Sequence, residues 1–207
     1  LKDECIFERN KIEAVPTEMA EFMSAFLTVE NTYIFAINEI SSRIETLNDE
    51  LKATKGYNPI SKLVTRVKTP KSIAEKLIRK GCKLDIQSAK ENINDIAGVR
   101  IICLYIDDIY VIARLLKKWN DINLIDKSDY VQNPKPNGYR SLHLDVAVPV
   151  FLPNRIERVK AEIQIRTLAM DYWASLEHDL TYKLTDHKTD EMVRELKDCA
   201  DVIAQTD

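Results

Sequence analysis

The stretch that most constrains this chain is AEIQIRTLAMDYWASLEH, residues 161–178, which reads as a strand running straight into a helix. Ala161, Ile163 and Ile165 alternate with Glu162, Gln164 and Arg166, the period-two pattern of a strand with one buried face. The other face then carries an acid, an amide and a base in a row. Thr167 is placed to cap the following helix, in which Leu168, Tyr172, Ser175, Leu176 and Asp179 recur at helical spacing. Such a polar row beside a helix N-terminus, with its free N–H groups, suits phosphates or a metal. A solvated edge strand is the alternative.

The whole chain sets the bounds. Its 207 residues, 45% hydrophobic and 30% charged, predict one sizeable soluble domain with helical extensions. No apolar run approaches a membrane span and no N-terminal hydrophobic signal is visible, so no membrane partner is expected. Cys5, Cys82, Cys103 and Cys199 form no C-x-x-C pair, which predicts reduced thiols in a cytoplasmic protein and argues against a zinc site. With only His143, His178 and His187, a histidine-rich metal centre is not expected either. The net charge of −3 does not advertise a nucleic-acid binder. Between Lys62 and Lys83, however, eight basic residues face Glu75 alone, either a solvated helix face or an anion site.

In chain order, residues 17–54 predict one continuous helix with a stripe of Ile34, Ile37, Ser41, Ile44, Asn48 and Leu51, extended by Phe22, Phe26 and Tyr33. LVTRVK (63–68) reads as a strand, and Thr69-Pro70 opens a helix to Lys80 with capping-box spacing at Ser72 and Glu75. Arg66 and Lys68 share a strand face that Lys76 can reach, and three cations beside a helix N-terminus suit a polyphosphate. A short helix is expected from Ser88. The strand VRIICLYI (99–106), apolar on both faces, belongs inside a sheet, with Asp95 and Arg100 bracketing its start as functional residues or as a structural pair. Asp107 is placed to cap a helix through Trp119, and 122–125 reads as a short strand. The loop NPKPNGYRSLH (133–143) carries Lys135, Asn137, Tyr139, Arg140 and His143, a set suited to something flat and charged. In the strand after it, Leu142, Leu144, Val146 and Val148 take the core face, so His143 faces outward like Glu162 and Gln164. A final amphipathic helix spans about 189–205.

Taken together, RVKTPKSIAEK (66–76), DIAGVR (95–100), NPKPNGYRSLH (133–143) and EIQIRT with MDYWASLEH (162–178) resemble the synthetase domain of the RelA/SpoT homologues, specifically the stand-alone small alarmone synthetases. The resemblance implies an α/β (α+β) fold related to nucleotidyltransferases, a mixed sheet of about five strands flanked by helices. It divides the chain into a helical extension (1–56), a synthetase domain (57–184) and a C-terminal helix (185–207). It implies a pyrophosphokinase that moves the β,γ-pyrophosphate of ATP to the ribose 3′-hydroxyl of GDP or GTP, and a homotetramer. By the same resemblance Arg66 and Arg100 sandwich adenine, and Lys68, Ser72 and Lys76 hold the ATP phosphates. Asp95 and Glu162 bind Mg2+, with Glu162 also the candidate base. Tyr139 stacks on guanine, Lys135, His143 and Gln164 hold the acceptor's phosphates and ribose, Asn137 belongs to the same loop site, and Asp171 lies near the guanine edge.

Ser128 departs from relatives that are often basic there, with Lys127 one step away. No hydrolase motif is present, so the chain is expected only to synthesise. Two competing readings remain. One is an inactive regulatory module using the basic run and Tyr139 to bind single-stranded RNA, which Asp95 and Glu162 argue against, since carboxylates repel phosphates unless a metal lies between. The other is a nucleotidyltransferase releasing pyrophosphate instead of AMP.

Overall fold

The computed structural model describes residues 17–183 and 189–207. Cys5, His187 and the boundary expected at 184–185 lie outside the described residues. Five strands, β1 (Ile60–Val67), β2 (Ala97–Cys103), β3 (Asn123–Asp129), β4 (Leu142–Leu152) and β5 (Arg155–Thr167), form one sheet in the order β1-β2-β5-β4-β3. β2 runs parallel to β5 and every other neighbouring pair is antiparallel, so the sheet is mixed, as expected. Among the described residues seven helices flank it: α1 (Thr17–Leu27), α2 (Glu30–Lys55), α3 (Pro70–Arg79), α4 (Ile86–Asn92), α5 (Ile106–Leu116), α6 (Leu168–Lys183) and α7 (Asp190–Thr206).

The alternation along β5 decides which face is buried. Ala161, Ile163 and Ile165 join Val99 and Ile101 of β2 and Leu142, Leu144, Val146 and Val148 of β4 in one core. α2 lies across β1, β2, β5 and β4 and adds Tyr33, Ala36, Ile37, Ile40 and Ile44. Each fully buried aliphatic side chain is worth about 1.5–3 kcal/mol, so this layer carries most of the stability. β2 has a neighbour on both sides, as its apolar composition predicted.

Several local expectations are corrected. The helix over 17–54 breaks at Thr28 and Val29, where Thr28 Oγ1 donates to Ala25 O at 2.7 Å and the Val29 N–H to Phe26 O. Two β-branched residues there favour a turn over the i−4 ladder. The buried stripe runs through Ile40, not Ile34, which is 38% exposed. α3 opens at Thr69-Pro70 as expected, but the capping oxygens sit earlier than Ser72 and Ser88. Thr69 Oγ1 accepts from Ser72 N, and Asp85 from Ser88 N, so Ser72 and Ser88 are third residues of their helices and α4 starts at Ile86. Asp107 lies inside the first turn of α5, which ends at Leu116. Beside it Asp108 is buried, accepting from Lys55 Nζ and Tyr57 Oη at 2.7 Å each and clamping the end of α2. β3 extends to Asp129. Thr167 does cap α6, accepting from Met170 N at 3.1 Å, but Leu168 and Tyr172 face outward while Met170 and Trp173 are buried. Among the described residues no helix is long and apolar enough to cross a membrane, and Cys82, Cys103 and Cys199 are unpaired.

α7 closes against the loop after β3. Trp173 Nε1 of α6 donates to Leu196 O at 2.8 Å, and Ala200 is buried against Gly138. Gly138 has φ +91°, and a Cβ there would stand 2.4 Å from the Ala200 Cβ. Gly138→Ala is therefore expected to lose about 2–5 kcal/mol, from left-handed strain plus overpacking, in urea unfolding. Adding Ala200→Gly should return the overpacking part. A double variant no more stable than Gly138→Ala would show that this contact does not set the position of α7.

Candidate active site

The residues excluded from the core face assemble into a polar field on the other side of the sheet. Pairing register puts Arg66, Gly98, Glu162 and Asp145 in one row across β1, β2, β5 and β4, and Val64, Arg100, Gln164, His143 and Ser128 in the next. Gly98 leaves the space between Arg66 and Glu162 open. A cleft of about 210 Å3 is lined there by Arg66, Asp95, Gly98, Arg100, Glu162 and Gln164, among others. Arg66 is exposed along it and makes no ion pair among the described residues.

Asp95, just before β2, is gripped from two sides. Lys68, following β1, reaches Oδ2 at 2.5 Å, and Lys76 of α3 reaches Oδ1 at 2.8 Å. The Asp95–Arg100 pair considered from sequence does not form. Burial pushes the Asp95 carboxyl up, but the two ammonium groups outweigh it and hold it below the usual carboxylate range. Ser72 sits in the first turn of α3, its amide held by Thr69.

Glu162 belongs to a closed ring of five side chains. His143 Nδ1 lies 3.0 Å from Glu162 Oε1, and His143 Nε2 lies 2.9 Å from the Tyr139 hydroxyl. Arg166 Nη2 donates to Tyr139 Oη at 3.2 Å and to Gln164 Oε1 at 2.5 Å, and Gln164 Nε2 donates to Glu162 Oε2 at 2.6 Å. Because a guanidinium only donates, Tyr139 is left to donate to Nε2, and the Nδ1–H tautomer of His143 then donates to Glu162. Burial raises the Glu162 carboxyl, yet the bonds from His143 and Gln164 bring it below its ordinary value. Both carboxylates of the cleft thus stay ionised at neutral pH.

The loop side is built around Tyr139. Lys135 Nζ stands 4.6 Å from the Tyr130 ring centre and 4.9 Å from that of Tyr139, and Arg166 lies 5.4 Å from the latter. Asn137 Oδ1 accepts from the Tyr139 N–H at 3.2 Å, so the amide visibly shapes the turn. Asp171, in the first turn of α6, receives Arg100 Nη1 at 3.3 Å and lies 3.5 Å from Arg166 Nη1.

Three residues were missed by the sequence reading as site members. Arg166 was visible as the third of the polar row on β5. Tyr130 packs edge-on against His143 with ring centres 5.2 Å apart. Asp145 faces Glu162 across the strands and accepts from Asn94 Nδ2 at 2.8 Å. Burial pushes its carboxyl up, and the charge of Glu162 adds to this against the Asn94 bond.

Residues 65–187 match the family described as a region found in RelA / SpoT proteins. The GTP pyrophosphokinase YwaC of Bacillus subtilis is 49% identical over 170 residues, 82% of this chain and 81% of that protein. This chain belongs to the RelA/SpoT family. The fold agrees with crystal structures of family members. Small alarmone synthetase 2 of B. subtilis superposes with a TM-score of 0.78 at 46% identity, covering 86% of this chain and 92% of that one. Small alarmone synthetase 1 of B. subtilis, bound to its product pppGpp, gives 0.78 at 32% identity, covering 84% and 89%. All the site residues named above from Arg66 to Asp171 fall within the family match.

The ring around Glu162 makes a specific demand on Tyr139. Tyr139→Phe keeps the aromatic face but leaves His143 Nε2 without its donor, at an expected cost of about 1–3 kcal/mol in urea unfolding. A change below a few tenths would mean that the hydroxyl does not hold the ring together.

Proposed function

We propose that this chain is a GTP pyrophosphokinase, a (p)ppGpp synthetase that transfers the β,γ-pyrophosphate of ATP to the ribose 3′-hydroxyl of GDP or GTP and releases AMP. The observation that carries this reading is the convergence of Asp95, Glu162, Lys68 and Lys76 with the arginines of one cleft, facing the Tyr139–His143 edge. Transfer of a phosphoryl-type group needs alignment and charge neutralisation more than covalent chemistry. Arg66 and Arg100 offer flat guanidinium faces for adenine, and Lys68, Ser72 and Lys76 take the donor phosphates at the start of α3. Across from them Tyr139 stacks on guanine, with Asn137 shaping its loop and Asp171 near the base edge. Lys135, His143 and Gln164 serve the acceptor's phosphates and ribose. Glu162 orients the 3′-hydroxyl and takes its proton as the new P–O bond forms. Its depressed pKa makes it a weak base, so orientation is its larger contribution.

Two ionised carboxylates on one cleft fit a magnesium ion, which takes one or two such ligands and completes its shell with phosphate oxygens and water. Among the described residues no group of three or more His, Cys, Asp or Glu could hold a metal ion by itself, so substrate phosphates and water would have to complete the shell. Asp95 and Glu162 would hold the ion, and it would neutralise charge on the transferred group.

The protein is proposed to act in the cytoplasm as a homotetramer, with 57–184 as the catalytic part and 1–56 and 185–207 as helical extensions. Exposed apolar residues on α2 (Ile34, Phe35) and α7 (Val193, Val202) support self-association. The alternative of an inactive RNA-binding module has no support among the relatives, which carry the names of enzymes.

Incubation with ATP, GDP and magnesium is expected to yield ppGpp and AMP, separable by anion exchange. Pyrophosphate in place of AMP would mean nucleotidyl transfer. Glu162→Gln should lower turnover by about 10²-fold or more with GDP still bound. Near-wild-type turnover would remove Glu162 from the chemistry, and activity in excess chelator would remove the metal.

A further inference from the structure

We propose that Arg166 is a positioning residue that couples the donor and acceptor pockets, acting through Asp171 on one side and Tyr139 on the other. The proposal rests on the pyrophosphokinase reading above. Arg166 is 2% exposed, a guanidinium buried beneath the polar field and not lining the cleft. A buried cation is costly unless its donors are answered, and here Nη1 and Nη2 meet three partners while Nε has none among the described residues. Nη2 donates to Gln164 and Tyr139, while Nη1 faces Asp171 Oδ1 at 3.5 Å.

The same Asp171 oxygen receives Arg100 Nη1 at 3.3 Å. One carboxylate oxygen is therefore shared by two guanidinium groups. One of them borders the cleft assigned to the donor base; the other holds the hydroxyl of the ring assigned to the acceptor base. Like charges so close depend on the anion between them. When a donor base stacks on Arg100 and shifts its hold on Asp171, Arg166 gains or loses a share of that oxygen. Its fork is rigid, so a change at Nη1 is passed to Nη2 and to Tyr139. Lysine, with a compact ammonium on a flexible stem, cannot serve Asp171, Gln164 and Tyr139 in one fixed geometry.

The test is GDP affinity in the presence of magnesium, measured with and without a saturating non-hydrolysable ATP analogue. The wild-type protein, Arg166→Lys and Asp171→Asn are compared. The wild-type chain is expected to bind GDP at least about 5-fold more tightly with the analogue present, the lower end of typical coupling between sites. Both variants are expected to bring that factor close to one. Simple loss of packing lowers both affinities and leaves their ratio unchanged, so the ratio separates coupling from damage. A factor retained by folded Arg166→Lys overturns the proposal, as does one retained by Asp171→Asn whether or not Arg166→Lys folds, and so does a wild-type factor of one. Formation of ppGpp by the same wild-type preparation is checked first: without it the activity reading falls, and this proposal with it.

Discussion

The parity of β5 is the constraint on which the rest depends. Its odd residues from Ala161 to Ile165 form the centre of the core, and its even residues from Glu162 to Arg166 form the centre of the polar field. A slip of one residue against β2 or β4 would exchange the two sets at once. It would expose three buried apolar side chains, each worth about 1.5–3 kcal/mol except the smaller alanine, and bury an acid and a base without their partners. The energy that sets the register therefore also sets the chemistry. Gly98 and Arg100 on one side, and His143 and Asp145 on the other, stand opposite Glu162 and Gln164 because hydrophobic burial fixes the strands.

That coupling explains what was legible in the sequence. Alternation revealed β5, the core face of β4 and the outward aim of His143, because a strand's period is local and needs no partner to be read. The motifs then brought Asp95, Lys68, Lys76, Tyr139 and Glu162 under one family resemblance. Partners were not legible in the same way. Asp95 was weighed with Arg100, five residues away, whereas its cations arrive from Lys68 and Lys76 on other elements. The opening of α3 at Thr69-Pro70 was legible, but its capping oxygen was misassigned to Ser72, and the start of α4 was misread at Ser88, since Thr69 and Asp85 offer equally good capping oxygens three residues earlier. The break at Thr28 was hidden because apolar spacing continues through it. Arg166 was counted in the row, but its burial depends on α6 and the Tyr139 loop, which no periodicity reports.

Ser128 shows how parity limits compensation. It pairs with His143 and so lies on the site face of β3, at the edge of the polar field. Lys127, its neighbour, pairs with Leu144, whose side chain enters the core, so Lys127 belongs to the opposite face. Its ammonium lies 3.1 Å from Asp129 Oδ2 on that same parity. A basic residue one position away in sequence is thus on the other side of the sheet, and Lys127 does not reach the place that a basic residue at 128 would occupy. The structure does place Lys135 beside this loop, 4.6 Å from the Tyr130 ring centre and 4.9 Å from that of Tyr139.

Lysines and arginines divide the work of this site according to their chemistry. Arg166 is fixed by a planar fork among Gln164, Tyr139 and Asp171, and a group that must hold three partners at once is suited to architecture. Lys68 and Lys76 are point charges on flexible stems, both resting on Asp95 with side chains 16% and 26% exposed. Removing one partner from a buried ion pair costs about 3–5 kcal/mol when nothing replaces it, and less where solvent reaches the site. An exchange avoids that penalty. In the proposed reaction the arriving polyphosphate offers both lysines a new anion, and the carboxylate they leave remains negative, where a magnesium ion fits. The pairing with both lysines keeps Asp95 ionised, and in the proposed reaction it would hold both ammonium groups close to the place where phosphate charge is met.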